Sequence, residues 1–465
     1  MKKIDYILYF LICFNLPVNA QLICFDFPAD VFSTPGVPTT ITAADFNWDN
    51  FDDLAIGHYN EEFISIMIND GTGHFPGIIT YPIGGNAGTI VAEDINVDGI
   101  IDLLVMGRFY DIYIFTGNGD GNFTLASVLW TDFWSSDAEM IYFDEDNNID
   151  LAVIDQIHHK VRILLGNGTG FFQLNYMCST FGYVPRRMAK GDFNEDGNDD
   201  LVICNVGMPE YIGFNVVLFE GTGEGSFQSP VILYDEYIPE SVVSGDFNLD
   251  GYQDIIFKQY DRNLVKLWGK GDGTFQEPEI QEISAIYYAI YLHEVDINLD
   301  GALDLAMGCY TFNMHINDGS GYFSDTLYIN EKSNSYRIDE ITTGNFNGDA
   351  KPDVVSTHSN FPDLSYGSIT VYLNCLPVGI PDDKFPDDRI VLHPNPGNGY
   401  LRISSDPSLA DAEVTGIFNC LGIAIDESQY SLSGQYLDLS SLKPGLYIIH
   451  FINGNNTICK KVIIN

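Results

Sequence analysis

The chain is 465 residues long, 45% hydrophobic and 13% aromatic, and its 21 basic and 65 acidic side chains leave a net charge of −44. That composition supports folded structure with more than one core and excludes a disordered chain. Acidity on this scale repels nucleic acid and anionic membranes, so neither is an expected partner, whereas cations are attracted.

Residues 1–20 read as a signal peptide, with Lys2 and Lys3, an apolar stretch from Ile7 to Cys13, and Val18-Asn19-Ala20 as a small-residue cleavage site. No later stretch is apolar for long enough to suggest a transmembrane span. An exported protein is expected. Seven of the eight cysteines follow Ala20, an odd number that leaves at least one thiol free or bonded between chains. None has zinc-ligand spacing.

A loop pattern then recurs seven times, starting at Asp45, Asp94, Tyr142, Asp192, Asp246, Asp296 and Asn345, at intervals of 49, 48, 50, 54, 50 and 49 residues. The fourth copy, Asp192 to Leu201, has oxygen side chains at its first, third, fifth and ninth positions and a glycine at its sixth. Alternate side chains on a tight loop converge on one point, which suits a hard cation taking six to eight oxygens. A glycine-rich turn follows each of the first six loops: 69–75, 117–123, 166–172, 221–227, 269–275 and 317–323. Between them apolar residues alternate with period two, as in Ile64 to Ile68, Asp111 to Phe115 and Ile369 to Leu373. Four short strands fit each repeat, the content of one propeller blade. The expected fold is therefore all-β: a seven-bladed β-propeller over residues 21–375, a proline- and aspartate-rich linker over 376–388, and a small C-terminal β-sandwich over 389–465.

The seventh repeat stops at Cys375, without its glycine turn or fourth strand. Phe25 to Pro28 matches Phe227 to Pro230, the start of the fourth strand in repeat four, so the N-terminal strand is expected to complete the last blade and cover its edge. The same alignment sets Cys375 at the place of Gly221 and Cys24 at the place of Ser226. It predicts a Cys24–Cys375 disulfide across the missing turn. Cys420 and Cys459 are a second possible pair. An EF-hand is rejected, because position twelve is Ile56, Val105, Val153, Ile203, Phe257, Met307 or Ser356 and the flanks read as strands.

The seven repeats resemble the FG-GAP/VCBS-type repeats of integrin-α-like β-propellers over about residues 22–375. The resemblance implies structural Ca2+ in the loops, about five sites and up to seven. In the fourth loop the implied ligands are Asp192, Asn194, Asp196 and Asp200, with the carbonyl of Asn198. The equivalents are Asp45, Asn47, Asp49 and Asp53; Asp94, Asn96, Asp98 and Asp102; Asp246, Asn248, Asp250 and Asp254; and Asp296, Asn298, Asp300 and Asp304. Two loops depart from the pattern: the third keeps Asp144, Asp146 and Asp150, and the seventh keeps Asn345, Asn347, Asp349 and Asp353. These imply weaker sites. The segments His393–Gly399, Val414–Gly422, Leu437–Tyr447 and Lys460–Asn465 resemble the type A sorting domain of the Bacteroidetes type IX secretion system. That implies passage through periplasm and outer membrane to the cell surface or medium, with the secretion machinery as a partner.

Catalytic signals are few. The nine histidines are scattered, the carboxylates are absorbed by the loops, and no Gly-x-Ser-x-Gly or phosphate loop occurs. Trp130 and Trp134 are the ligand-binding candidates, since exposed aromatics stack on sugars or anchor partners. Tyr287, Tyr288 and Tyr291 read as core. The expected function is a secreted or cell-surface, calcium-stabilised binding or adhesion module for an extracellular protein or glycan, without catalysis. The alternative is a carbohydrate-active enzyme, of polysaccharide lyase or glycosidase type, or a lectin on the same propeller.

Overall fold

The computed structural model describes residues 25, 30–107, 111–208, 212–283, 291–308, 312–329, 337–359 and 367–374, and further on 390–393, 400–405, 413–419, 425, 430–433, 436–442, 445–453 and 456–464. Among these, all regular structure is β. Seven four-stranded antiparallel sheets occupy residues 30–372. In the first, Val37–Ala44, Asp53–Tyr59, Phe63–Met67 and Ile79–Pro82 pair in chain order.

The opening strands of the seven sheets are Val37–Ala44, Ala87–Glu93, Ser135–Ile141, Pro185–Gly191, Pro239–Gly245, Tyr291–Val295 and Arg337–Gly344. Each packs on the next, and Val37–Ala44 packs on Arg337–Gly344. Every sheet thus lies between two others. This is the arrangement of a seven-bladed propeller with the opening strands innermost.

Burial follows from that geometry. The second strands, such as Asp102–Gly107, Asp200–Asn205 and Asp254–Gln259, are buried along their whole length because both faces meet a neighbouring blade. This explains why Leu201-Val-Ile-Cys204 reads as a continuous apolar run rather than an alternating one. Each such aliphatic side chain contributes about 1.5–3 kcal/mol by leaving water. The outermost strands, such as Ile79–Pro82 and Glu279–Glu282, are mostly exposed.

The last blade combines the two ends of the ring. Asp30–Ser33 pairs antiparallel with Gly367–Tyr372, with Asp30 opposite Val371 and Ser33 opposite Ser368. Phe25 bridges Asn374 as Phe227 bridges Gly221. This corrects the expected alignment by one residue: Asn374, not Cys375, takes the place of Gly221, and Cys375 corresponds to Thr222. Asn374 also repeats the bonding of Asn69 and Asn317, so the period continued one residue further than the glycine pattern suggested. Cys24 and Cys375, the signal peptide over 1–20 and the linker over 376–388 lie outside the described residues.

Further on, Ile390–His393, Tyr400–Ser405, Ser431–Ser433 and Tyr436–Asp438 form one sheet and Glu413–Asn419, Gly445–Asn453 and Asn456–Ile464 another. Leu401, Leu437, Ile417 and Ile449, two from each sheet, share one buried core, which makes this unit a small sandwich.

Candidate functional site

The seven loops join the innermost strand of each blade to the second. In all five complete copies the first-position aspartate accepts at least two amides. In the fourth loop Asp192 Oδ1 accepts from Asp196 N at 3.1 Å and Oδ2 from Gly197 N at 2.9 Å. Asn194 Oδ1 accepts the same Asp196 amide at 3.0 Å, and Asp196 Oδ1 accepts Asn198 N at 2.9 Å. Asp45, Asn47 and Asp49 repeat these bonds, as do Asp94, Asn96 and Asp98; Asp246, Asn248 and Asp250; and Asp296, Asn298 and Asp300. Oxygens from positions one and three therefore meet at one amide. The fourth position is left-handed in every complete loop, at φ 63° for Trp48, 59° for Val97, 56° for Glu195, 58° for Leu249 and 56° for Leu299. A β-branched residue such as Val97 is a genuine outlier there. The turn overrides local preference to aim these oxygens inward.

Hard carboxylate and amide oxygens in this set fit Ca2+. Among the described residues no three Asp, Glu, His or Cys side chains form a cluster able to hold an ion alone, so the asparagine and backbone oxygens would be needed as well.

The ninth-position aspartates have a second task. Asp200 is buried; its Oδ2 accepts Phe193 N at 2.9 Å and its Oδ1 accepts Gly221 N in the glycine turn at 2.8 Å. Asp53, Asp150, Asp254, Asp304 and Asp353 clamp the same two segments of their own blades, and Asp102 accepts Gly117 N. Burial, opposed by these amide bonds and reinforced by the neighbouring carboxylates, pushes Asp53, Asp200 and Asp254 up to about 7 and Asp304 to about 8.

Loops also dock on the glycine turn of the following blade, which links the two recurring motifs. Phe46 O accepts Gly121 N, Phe143 O accepts Gly225 N and Phe193 O accepts Gly273 N, each at 3.0 Å. The rings follow: Phe46 meets Phe123 with centroids 5.1 Å apart, Phe143 meets Phe227 at 4.8 Å, and Phe346 meets Phe75 at 5.9 Å. In the third loop Asp144 Oδ1 still accepts Asp146 N at 3.0 Å; in the seventh Asn345 and Asn347 accept Gly348 N and Asp349 N at 2.9 and 3.0 Å. The third loop has no side-chain oxygen acting at position one, because Tyr142 stands there with an exposed ring.

The opposite end of the ring, where the innermost strands begin, holds a cavity of about 340 Å3 lined by Thr39, Trp134, Gln156, Arg186, Arg187, Tyr291, Arg337 and Asp339 among others. Arg187 pairs with Asp137 at 3.3 Å and lies 4.1 Å from the Tyr291 ring centre. Arg337 pairs with Asp339 at 3.0 Å. Further along the innermost strands, Glu340 Oε2 accepts Ile41 N at 2.9 Å, and burial pushes Glu340 and Glu294 up to about 7. Burial and the nearby Asp137 carboxylate push Glu139 to about 8.

The two tryptophan candidates are not brought together. Trp134 lines the cavity just described, whereas Trp130, 77% exposed, borders a separate recess with Leu129, Phe133, Arg162 and Leu174. Tyr291, expected in the core, lines the cavity; Tyr287 and Tyr288 lie outside the described residues. The arginines were missed in the sequence because nothing local marks them.

Residues 192–257 match the family model for the FG-GAP-like repeat, and residues 391–465 match that for the secretion system C-terminal sorting domain. No curated protein matches the chain. Among solved structures, one of BBS1N in complex with ARL6DN, soaked with mercury, is similar at 12% identity over 77% of this chain and 98% of the matched chain, with a TM-score of 0.51. A lectin of Agrocybe aegerita, solved for its recognition of non-reducing terminal N-acetylglucosamine, is similar at 17% identity over 65% of this chain and 81% of its own, with a TM-score of 0.49. The sorting domain directs the protein through its secretion machinery to the cell surface or extracellular space, and among the described residues no helix is long and apolar enough to cross a membrane. The chain thus carries an FG-GAP-like repeat within a ring of four-stranded sheets and a secretion system C-terminal sorting domain behind it.

Proposed function

We propose that this secreted or cell-surface propeller is a calcium-stabilised, non-catalytic binding module for an extracellular glycan or protein. The observation that carries the reading is the division of labour between the two ends of the ring. At one end, loops and glycine turns are consumed in clamping blades together, and their inward-facing oxygens suit structural Ca2+. At the other end, side chains from several blades surround an open cavity with aromatic, cationic and amide groups, the mixture expected of a ligand site. A glycan and surface-protein array, run beside a lyase and hydrolase screen, tests this. Saturable capture without turnover is the expected result. Turnover of any polysaccharide would overturn the non-catalytic reading in favour of a carbohydrate-active enzyme.

A further inference from the structure

Three of the chain's eight arginines, Arg186, Arg187 and Arg337, line the cavity at the strand-start end of the ring. They come from the innermost strands of the fourth and seventh blades. Arg187 and Arg337 are paired with Asp137 and Asp339. Arg186 differs: it makes no ion pair or hydrogen bond with the described residues. Burial first, then the like charge of Arg187 and more weakly that of Arg337, outweigh the opposing pull of Tyr291 and Glu240 and hold its pKa below the usual guanidinium value. A guanidinium in a concave site with no direct partner among the described residues leaves its fork open, and its geometry matches a planar carboxylate bidentately.

The rest of the lining narrows the ligand class. Trp134 and Tyr291 offer ring surface, and Gln156 offers an amide. Apolar rings beside polar groups suit a pyranose, whose C–H face stacks while its hydroxyls hydrogen-bond. The cavity, about 340 Å3, is near the lower end of ordinary ligand sites. The net charge of −44 does not exclude an anion: the Debye length is about 8 Å at physiological ionic strength, so the lining sets the local potential more than the distant loops do.

We propose that this cavity binds the uronate unit of an acidic saccharide, with Arg186 taking the carboxylate and Trp134 and Tyr291 flanking the ring. The proposal rests on the binding-module reading and names its ligand class.

The test is calorimetric titration of the full chain, at fixed calcium, with oligogalacturonate and oligomannuronate and with a neutral galacto-oligosaccharide of equal length. Either acidic ligand should bind and the neutral one should bind far more weakly. Arg186→Gln should weaken the acidic ligand by about tenfold to hundredfold, the loss expected for a charged hydrogen bond, with the melting temperature unchanged. Arg186→Lys should recover part of the affinity, since it restores charge but not the fork. Equal binding of the neutral sugar, failure of both acidic ligands, or full affinity in Arg186→Gln would overturn the proposal. If affinity is instead lost in Trp130→Ala, the glycan-binding reading stands and only this site falls. A blank array of glycans and proteins would remove both.

Discussion

The backbone amide of Tyr142 donates to Asp199 Oδ2 at 2.8 Å, across the boundary between the third and fourth blades. Asn345 N and Asp52 Oδ2 form the same bond at 2.7 Å between the seventh blade and the first. Only the first and fourth loops carry aspartate at position eight, and each follows, round the ring, a loop that lacks aspartate at position one. The neighbour's carboxylate thus ties down the departing loop. Asp199→Ala and Asp52→Ala should each lower unfolding stability by about 0.5–1.5 kcal/mol in urea. The double variant should be additive within about 0.5 kcal/mol, because the boundaries are distant. Strong non-additivity would show that the two bonds do not act independently.

Lys258 is fully buried and donates to Glu240 Oε2 at 2.8 Å and to the carbonyls of Gln259 and Asp261. Removing one partner leaves the other charge in the core. Glu240→Ala should cost about 3–5 kcal/mol, whereas replacing both residues by apolar ones of similar volume should cost much less. Urea melts of the single and double variants distinguish these outcomes.

The seam of the ring predicts a disulfide. Phe25 and Asn374 bridge as Phe227 and Gly221 do, so Cys24 and Cys375 correspond to Ser226 and Thr222 of the fourth blade. There, Thr222 Oγ1 and Ser226 Oγ are 2.9 Å apart. Non-reducing peptide mapping of the exported protein should recover Cys24 linked to Cys375. Alkylation of Cys24 without reduction would refute the link.

Glu139 predicts a pH effect. Burial first, then Asp137, Glu294 and Asp199, raises its pKa to about 8, against the opposing pull of Lys190. A raised carboxyl contributes stability below its unfolded value and loses it as pH climbs through the folded value. Glu139→Gln should therefore gain on the parent between about pH 5 and about pH 9, and thermal melts across that range measure the gap. A constant gap would mean that Glu139 is already ionised throughout.

The loops and the blades were legible because each is local and repeated, and the completing N-terminal strand because the seventh repeat stops short of its own fourth strand. A carboxylate at a fixed position recurs wherever the same turn is built. The cavity was not legible, because Arg186 and Arg337 are far apart in the chain and meet only when the ring brings two innermost strands together. Trp130 and Trp134 show the converse. They are four residues apart, but Trp130 ends an outer strand and Ser135 begins the next inner one, so the chain crosses the blade between them. The position-eight aspartates were visible as letters, but their meaning required knowing that the seventh blade neighbours the first.

Calcium dependence is the most direct test of the account. A ligand that binds only the folded state adds RT ln(1 + [L]/Kd), about 1.4 kcal/mol per site at ten times Kd. Five complete loops would then contribute about 7 kcal/mol together. Melting the full chain in calcium and in excess chelator should give a much higher midpoint with calcium. Equal midpoints would contradict the claim that these loops hold the ring together around bound ions.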